Sequence, residues 1–214
     1  MDNSQFGWFL GMTVVVLLGF VAVVATRYSR QQRDKSRQVL LAWQTRHDWK
    51  PVTSDNESLV PFTRQGPYAI GNLSGTWQGH RAEFVVFYVY KWKTASSVAV
   101  ACIRMPAGFK GVAAIDASFE YATGNDVGPV ELSKRFRLTG KSQDLMTIFA
   151  PEVEKDILEF PQQIRSVTMD ETAASVTWLG WEADAAIVER ALEIARSLTA
   201  AVAAMAAASS RAGS

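Results

Sequence analysis

The side chains able to do chemistry are few and scattered. Two histidines (His47 and His80), one cysteine (Cys102) and 21 carboxylates make up the reactive inventory of the 214 residues. His80 and Glu83 have a spacing that suggests a metal pair, but in a strand positions three apart point to opposite faces. Cys102 lies between Ala101 and Ile103 in a predicted strand. No helix start or basic cluster is near to favour its thiolate, so it reads as a buried, inert thiol. His47 reads as a solvated histidine at a helix end, with a pH-sensitive contact as the alternative. A single cysteine excludes an intramolecular disulfide framework and any multi-cysteine metal site. The chain has no Walker A or GxGxxG glycine loop, and no HExxH, GxSxG or SxxK pattern. No catalytic residue, metal ligand or cofactor site is assigned, and no cofactor is expected.

The carboxylates are too many to dismiss by counting. Glu152, Glu154, Asp156 and Glu159 read as the wet face of a helix. Glu131, Lys134, Arg135 and Arg137 lie together in Val130 to Leu138, a predicted strand. There Glu131, Arg135 and Arg137 share a side opposite Leu132, Phe136 and Leu138. A solvated strand face is the plain reading, and a site for an acidic ligand is the alternative. The aromatic run is the least ordinary feature. Phe84, Tyr88, Tyr90 and Trp92 share strand parity, while Val85, Phe87 and Val89 occupy the other face. Both faces of that strand are apolar, as in a strand covered on both sides. The run either fills a core or lines a hydrophobic groove for a ligand or partner peptide.

The elements that position these groups are predicted as follows. Arg30 to Arg46 lacks Gly and Pro and reads as a stalk helix with Val39, Leu40, Trp43 and His47 near one face. A connector with at most a short helix around Glu57 to Phe62 precedes a long hairpin, Tyr68–Gly75 and His80–Trp92, joined through Thr76-Trp77-Gln78-Gly79. Further strands are expected at Ser97–Met105, Ala113–Tyr121, Val130–Leu138, Ile164–Thr168 and Ser175–Leu179. Leu145 to Phe160 reads as a helix, with Pro151 suited to a first turn. A closing helix from about Glu182 to Met205 carries Ile187, Ala191, Ala195, Leu198, Val202 and Met205 on a docking face. The fold class is therefore α+β, a mainly antiparallel sheet with a C-terminal covering helix in a two-layer sandwich.

A membrane segment precedes this domain. Phe6 to Ala25 is almost wholly apolar, and twenty residues at about 1.5 Å each span roughly the 30 Å of a bilayer core. Its twelve Phe, Leu and Val residues favour insertion by about 4 to 7 kcal/mol at most. The nearly balanced 22 Lys+Arg and 21 Asp+Glu, which disfavour a nucleic-acid partner, conceal a division. Residues 27 to 50 carry seven Lys/Arg against two Asp/Glu, whereas residues 51 to 214 carry 15 against 18. The positive-inside rule then places the N-terminus outside and the remaining chain in the cytoplasm of a single-pass cell-membrane protein. The parts are a short extracytoplasmic tail (1–5), a transmembrane helix (6–26) and a basic stalk (27–50). A cytoplasmic α+β domain (51–205) and a disordered tail (206–214) complete the chain. Arg27, Arg30, Arg33, Lys35 and Arg37 would contact the membrane surface and its anionic lipid head groups. Gly7, Gly11 and Gly19 share a face where a second membrane helix can approach closely, giving a homodimer or a docked partner.

Together, the leading membrane helix and basic stalk, Leu41-Ala42-Trp43, Asp48-Trp49, Gly79-His80-Arg81 and the run Val130 to Leu138 have a counterpart. They resemble a group of uncharacterised actinobacterial single-pass membrane proteins carrying a cytoplasmic domain of unknown function. The chain departs from that pattern in having Asp48 where glycine is common. The resemblance implies anchorage and an unassigned domain, with no substrate or active-site residue to carry over. The expectation is a membrane-anchored, non-catalytic interaction or scaffold protein with an unknown protein partner. A binding module for lipid or another hydrophobic ligand at the inner membrane surface is the alternative, followed by a membrane-tethered hydrolase.

Overall fold

In a computed structural model the described residues are 3–54, 58–60, 69–91, 94–106, 113–116, 128–180 and 184–212. The first element is one unbroken helix, α1 (Asn3–His47), of 45 residues. At about 1.5 Å per residue it extends roughly 68 Å. Every described side chain from Met12 to Gln38 is exposed, and burial begins at Val39 and Leu40. The apolar run and the basic segment after it are thus a single rod.

The rod ends by docking. Leu40, Trp43, Val39 and His47 turn toward the sheet, with Trp43 1% exposed. Helix α1 stops at His47 because Asp48 takes a left-handed conformation, φ 52°, the position after a helix that glycine fills at least cost. The reversal swings Trp49 back beneath Trp43, where it is 1% exposed, and leads into a two-residue strand, β1 (Lys50–Pro51).

Strands β2 (Ala69–Trp77) and β3 (His80–Lys91) form the expected hairpin. Its two turn residues, Gln78 and Gly79, both have positive φ, 47° and 84°, the geometry that matches strand twist. Strand β4 (Thr94–Arg104) pairs with β3. The chain then makes β5 (Ala113–Asp116), α2 (Val130–Ser133) and β6 (Arg137–Thr139). Next come α3 (Ser142–Ile148), α4 (Pro151–Leu158) and β7 (Gln163–Met169). Strand β8 (Ala173–Leu179) returns beside β4, and α5 (Ala185–Ala212) closes the domain. The sheet order is β1-β2-β3-β4-β8-β7-β5-β6, with every pairing antiparallel. The architecture is α+β, as expected.

Two expectations are corrected. Val130 to Leu138 is not one strand: it forms α2, a turn and the short β6. Leu132, Phe136 and Leu138 are buried all the same. Leu145 to Phe160 is not one helix. Pro151 disfavours helical geometry at the residue before it, and Ala150 is extended at ψ 157°, dividing α3 from α4. Of the short helix expected around Glu57 to Phe62, only Ser58 to Val60 is described, and it forms a bend. Helix α5 runs on through Ala212, past the Met205 at which the sequence predicts it to end.

The main core lies on one face of the sheet. Val188, Ala191, Leu192, Ala195, Leu198 and Val202 of α5 pack over Ala101, Ile103, Val176 and Trp178, and the three short helices extend the layer. Residues Ala185–Ala208 are long and apolar enough to cross a membrane by length and composition alone. Their apolar side is nevertheless spent on this sheet. Glu189 and Arg190 sit at the rim, where Arg190 reaches Asp156 of α4 at 3.9 Å and Glu159, which caps that helix, at 3.8 Å.

Glycines in β2 make room for the docking rod. A Cβ on Gly75 would fall 2.3 Å from Trp49 Cδ1, and one on Gly71 2.7 Å from Leu40 Cδ1. The Gly75→Ala variant is expected to lose about 1–3 kcal/mol through overpacking against a fixed indole. Asp48→Gly should gain about 1 kcal/mol by removing left-handed strain. Thermal melting of the two variants beside the wild type checks both. Equal midpoints for all three would show that the joint does not govern stability.

Candidate functional site

The second face of the sheet is built differently. Val85, Phe87, Val98, Val100 and Cys102 form a smaller apolar cluster there, with Leu59 and Val60 laid over it and Val89 and Leu179 at its margin. Beside this cluster lies a partly open groove of about 390 Å³ that crosses β3, β4, β8 and β7. Its apolar side is formed by Leu59, Val60, Phe87, Val89, Val98 and Val100, and its polar side includes Arg165, Ser166, Thr168, Ser175 and Thr177. Strand alternation explains most of this lining. Odd-numbered residues of β8 face the groove, while Ala174, Val176 and Trp178 enter the main core. In β7 a bulge falls between Ile164 and Ser166. It returns Ile164 to the core and leaves Arg165 and Ser166 together in the groove lining. Bulges re-aim side chains in this way.

One buried carboxylate holds the covering loop. Glu83 is fully buried. Its Oε1 accepts the Leu59 N–H at 2.7 Å, and its Oε2 lies 3.4 Å from the Val60 N–H and 3.1 Å from the Ser58 hydroxyl. Asn72 donates its side-chain N–H to Ser58 Oγ at 3.0 Å. Arg81 approaches Glu83 Oε1 only to 3.8 Å. Burial pushes the Glu83 carboxyl above its ordinary range, against these hydrogen bonds and the weaker pull of Arg81. The Ser58 hydroxyl proton has two acceptors in reach, the Val60 carbonyl at 2.6 Å and Glu83 at 3.1 Å.

The sequence-selected residues divide between the two faces. Phe84 is fully buried in the main core, 6.3 Å from Trp178 and 6.1 Å from Trp43, and Tyr88 is buried on the same side of β3. The groove expected at Phe84, Tyr88, Tyr90 and Trp92 is therefore core at its first two members. The Tyr90 side chain and all of Trp92 lie outside the described residues. The groove opens instead at Phe87 and Val89, whose place the alternation gave without marking them as its lining. Arg165 and the hydroxyl row carried no signal in the sequence, because both depend on the bulge and the β7–β8 register.

The reactive groups do not assemble. Cys102 pairs in register with Glu83 and points its thiol at the Glu83 carbonyl at 3.7 Å. Burial, reinforced by the Glu83 carboxylate, holds that thiol well above its ordinary pKa, so the thiolate is suppressed. His80 is exposed at the hairpin turn. Among the described residues no three His, Cys, Asp or Glu side chains gather as a metal set. Glu131 of α2 pairs with Lys134 at 2.6 Å, Lys134 and Arg135 sit on the following turn, and Arg137 stands opposite Asp116 in register. Those four are not one cluster. Glu154 accepts the Leu132 N–H at 3.2 Å, so the acidic face of α4 is only partly wet.

His47 is not the solvated group that the sequence suggested. Its ring lies 4.1 Å from Trp43 and 5.6 Å from Trp77, with Nε2 3.9 Å from Glu189. Burial and the neighbouring Arg46 lower its pKa, and Glu189 only partly offsets them. Gly19 is open on all sides, with nothing within 4 Å of an added Cβ. The side-chain surroundings of Gly7, Gly11 and Arg33 lie outside the described residues, while Arg27, Arg30, Lys35 and Arg37 are exposed.

The Glu83 pin has a pH signature. The folded chain holds its proton more tightly than the unfolded chain, whose ordinary value is 4.5. The stability due to this group therefore rises as pH falls from the folded pKa toward 4.5 and is lost as pH climbs back through that window. Denaturant melts across the window should show this slope in the wild type relative to Glu83→Gln, which mimics the neutral acid. Glu83→Ala should lose about 1–3 kcal/mol by leaving the loop N–H groups unpaired. Parallel pH profiles for wild type and Glu83→Gln would contradict the raised pKa.

No protein-family model matches the chain, and the search of curated proteins finds no match. Among solved structures, the chain is similar to the crystal structure of the mycobacterial trehalose monomycolate transport factor A, TtfA. The TM-score is 0.53 with 12% sequence identity, over 75% of this chain and 90% of that chain. At that identity the likeness is one of fold.

Proposed function

We propose that this chain is a single-pass, membrane-anchored, non-catalytic interaction protein, with its N-terminus outside and its α+β domain in the cytoplasm. The observation that carries the reading is the continuity of α1 (Asn3–His47). Its apolar residues from Met12 to Val24, including Leu17, Leu18 and Phe20, are exposed, whereas Leu40 and Trp43 are buried in the domain. A contiguous exposed apolar surface of this kind marks a membrane or partner site. Arg27, Arg30, Arg33, Lys35 and Arg37 follow the apolar run, fitting the inner membrane surface and its anionic head groups. From Arg27 to Leu40 the helix rises roughly 20 Å, so it holds the domain away from the bilayer as a spacer. Gly7, Gly11 and Gly19 supply a face for pairing with a second copy. The resemblance to actinobacterial single-pass membrane proteins fits the same reading.

A second reading is favoured by the groove at Phe87, Val89, Val98 and Val100: the domain binds a lipid or other hydrophobic ligand at the inner membrane surface. Its volume falls at the lower end of the ~300–1,000 Å³ common for small-ligand sites. A neighbour in fold named as a trehalose monomycolate transport factor points the same way.

Anchorage and orientation are tested together. The full chain should stay with membranes through an alkaline carbonate wash, and removal of residues 1–26 should release it. A reporter active only outside the membrane should be silent when fused after Ser214. An active reporter there would overturn the orientation, and wash-out of the full chain would overturn the anchor.

A further inference from the structure

The groove is polar on one side only, and the change follows the strand order. Crossing the sheet, one row of register partners reads Val85, Val100, Thr177 and Ser166. Apolar side chains on β3 and β4 thus give way to hydroxyls on β8 and β7 within roughly 14 Å, three strand spacings of about 4.8 Å. In the adjacent row Ser175 and Thr168 satisfy each other at 2.6 Å. Ser166 and Thr177 form no side-chain hydrogen bond among the described residues. At the end of the row stands Arg165, placed there by the bulge, exposed and without an ion pair among the described residues. The carboxylate in the lining is Asp170, at the other end of β7 and roughly 16 Å along the strand from Arg165. Its Oδ1 accepts the Thr172 and Ala173 N–H groups at 2.8 and 3.0 Å.

We propose that the groove binds an anionic single-chain lipid. Its hydrocarbon chain lies on Phe87, Val98 and Val100, and its phosphate sits at Arg165 beside the Ser166 and Thr177 hydroxyls. This inference rests on the hydrophobic-ligand reading above and adds the head-group chemistry to it. Charge complementarity selects the occupant. A guanidinium and two hydroxyls that have no side-chain partner among the described residues make a phosphate site, and the apolar strip begins one strand spacing away. The groove's modest volume suits one chain better than two.

The test uses the full chain in phosphatidylcholine nanodiscs. Two photo-crosslinkable probes share one chain, a lysophosphatidic acid and the uncharged monoacylglycerol. Mass spectrometry should map the lysophosphatidic acid cross-links to the β3 and β4 peptides holding Phe87, Val98 and Val100. The substitution Arg165→Gln, at an exposed position where the melting temperature should not move, should cut that labelling about tenfold. Monoacylglycerol labelling should be weaker and unaffected by the substitution, and glycerol 3-phosphate should not compete. Equal labelling by both probes, or no effect of Arg165→Gln, would overturn the anionic head group yet leave a hydrophobic-ligand site. Competition by glycerol 3-phosphate would mark a soluble phosphate site and overturn the lipid. Absence of label from β3 and β4 with either probe would remove the ligand reading itself.

Discussion

Burial of Trp43 is the contact on which the rest of the molecule depends. This one indole, near the end of a 45-residue helix, meets Trp49 at 5.5 Å, Trp77 at 5.8 Å and Phe84 at 6.1 Å. Phe84 then stacks on Trp178, which meets Phe160 edge-on at 5.7 Å. A continuous line of rings therefore runs from the stalk along the core face of the sheet to the helical layer. The indole N–H groups of Trp43, Trp49 and Trp178 are buried without hydrogen-bond partners among the described residues. Apolar contact and ring electrostatics hold the joint, and the favoured aromatic geometries add about 0.5–1.5 kcal/mol per pair. Polar contacts work at its rim, where Glu193 takes the Trp77 indole N–H at 2.9 Å and Glu189 faces Arg46 and His47.

The sheet separates two tasks. One face is filled by α5 and the docked rod and provides stability. The other carries a small cluster, a loop pinned by Glu83 and a groove graded from apolar to cationic. A two-sided sheet is expensive in apolar residues, and this chain meets the cost with an unusually aromatic β3. The β7 bulge matters most for the second task, because it brings a cation into the groove without disturbing Ile164 in the core.

Much of the fold was legible in the sequence because it follows simple periods. The β2–β3 hairpin was announced by the turn stretch Thr76-Trp77-Gln78-Gly79 between strand-like runs, although β2 takes in Thr76 and Trp77 and only Gln78-Gly79 turn. The stalk face at Leu40, Trp43 and His47 and the buried stripe of α5 followed the helical repeat. Val130 to Leu138 misled because Leu132, Phe136 and Leu138 satisfy alternation while the first two, four apart, also satisfy a helical turn. Its helical start after Gly128-Pro129 was the neglected signal. The α3–α4 break was visible in Pro151, whose effect on Ala150 a longer apolar pattern masked. The groove was not legible. When both sides of a strand are apolar, alternation cannot tell Phe84, which is core, from Phe87, which is lining. Nor does any local pattern reveal which residue of β7 a bulge will turn.

The unbroken helix also fixes a phase. Each residue of an α-helix turns about 100° and rises about 1.5 Å, so the exposed apolar run and the face carrying Leu40 and Trp43 keep a set azimuth to one another. One residue added between Tyr28 and Gln38 would swing the sheet, and the groove with it, by about a quarter-turn around the rod while lifting it hardly at all. Seven added residues would nearly restore the heading and raise the domain by about 10 Å. Bearing and height are thus separable properties of the same rod, written in the length of a segment whose described side chains are all exposed.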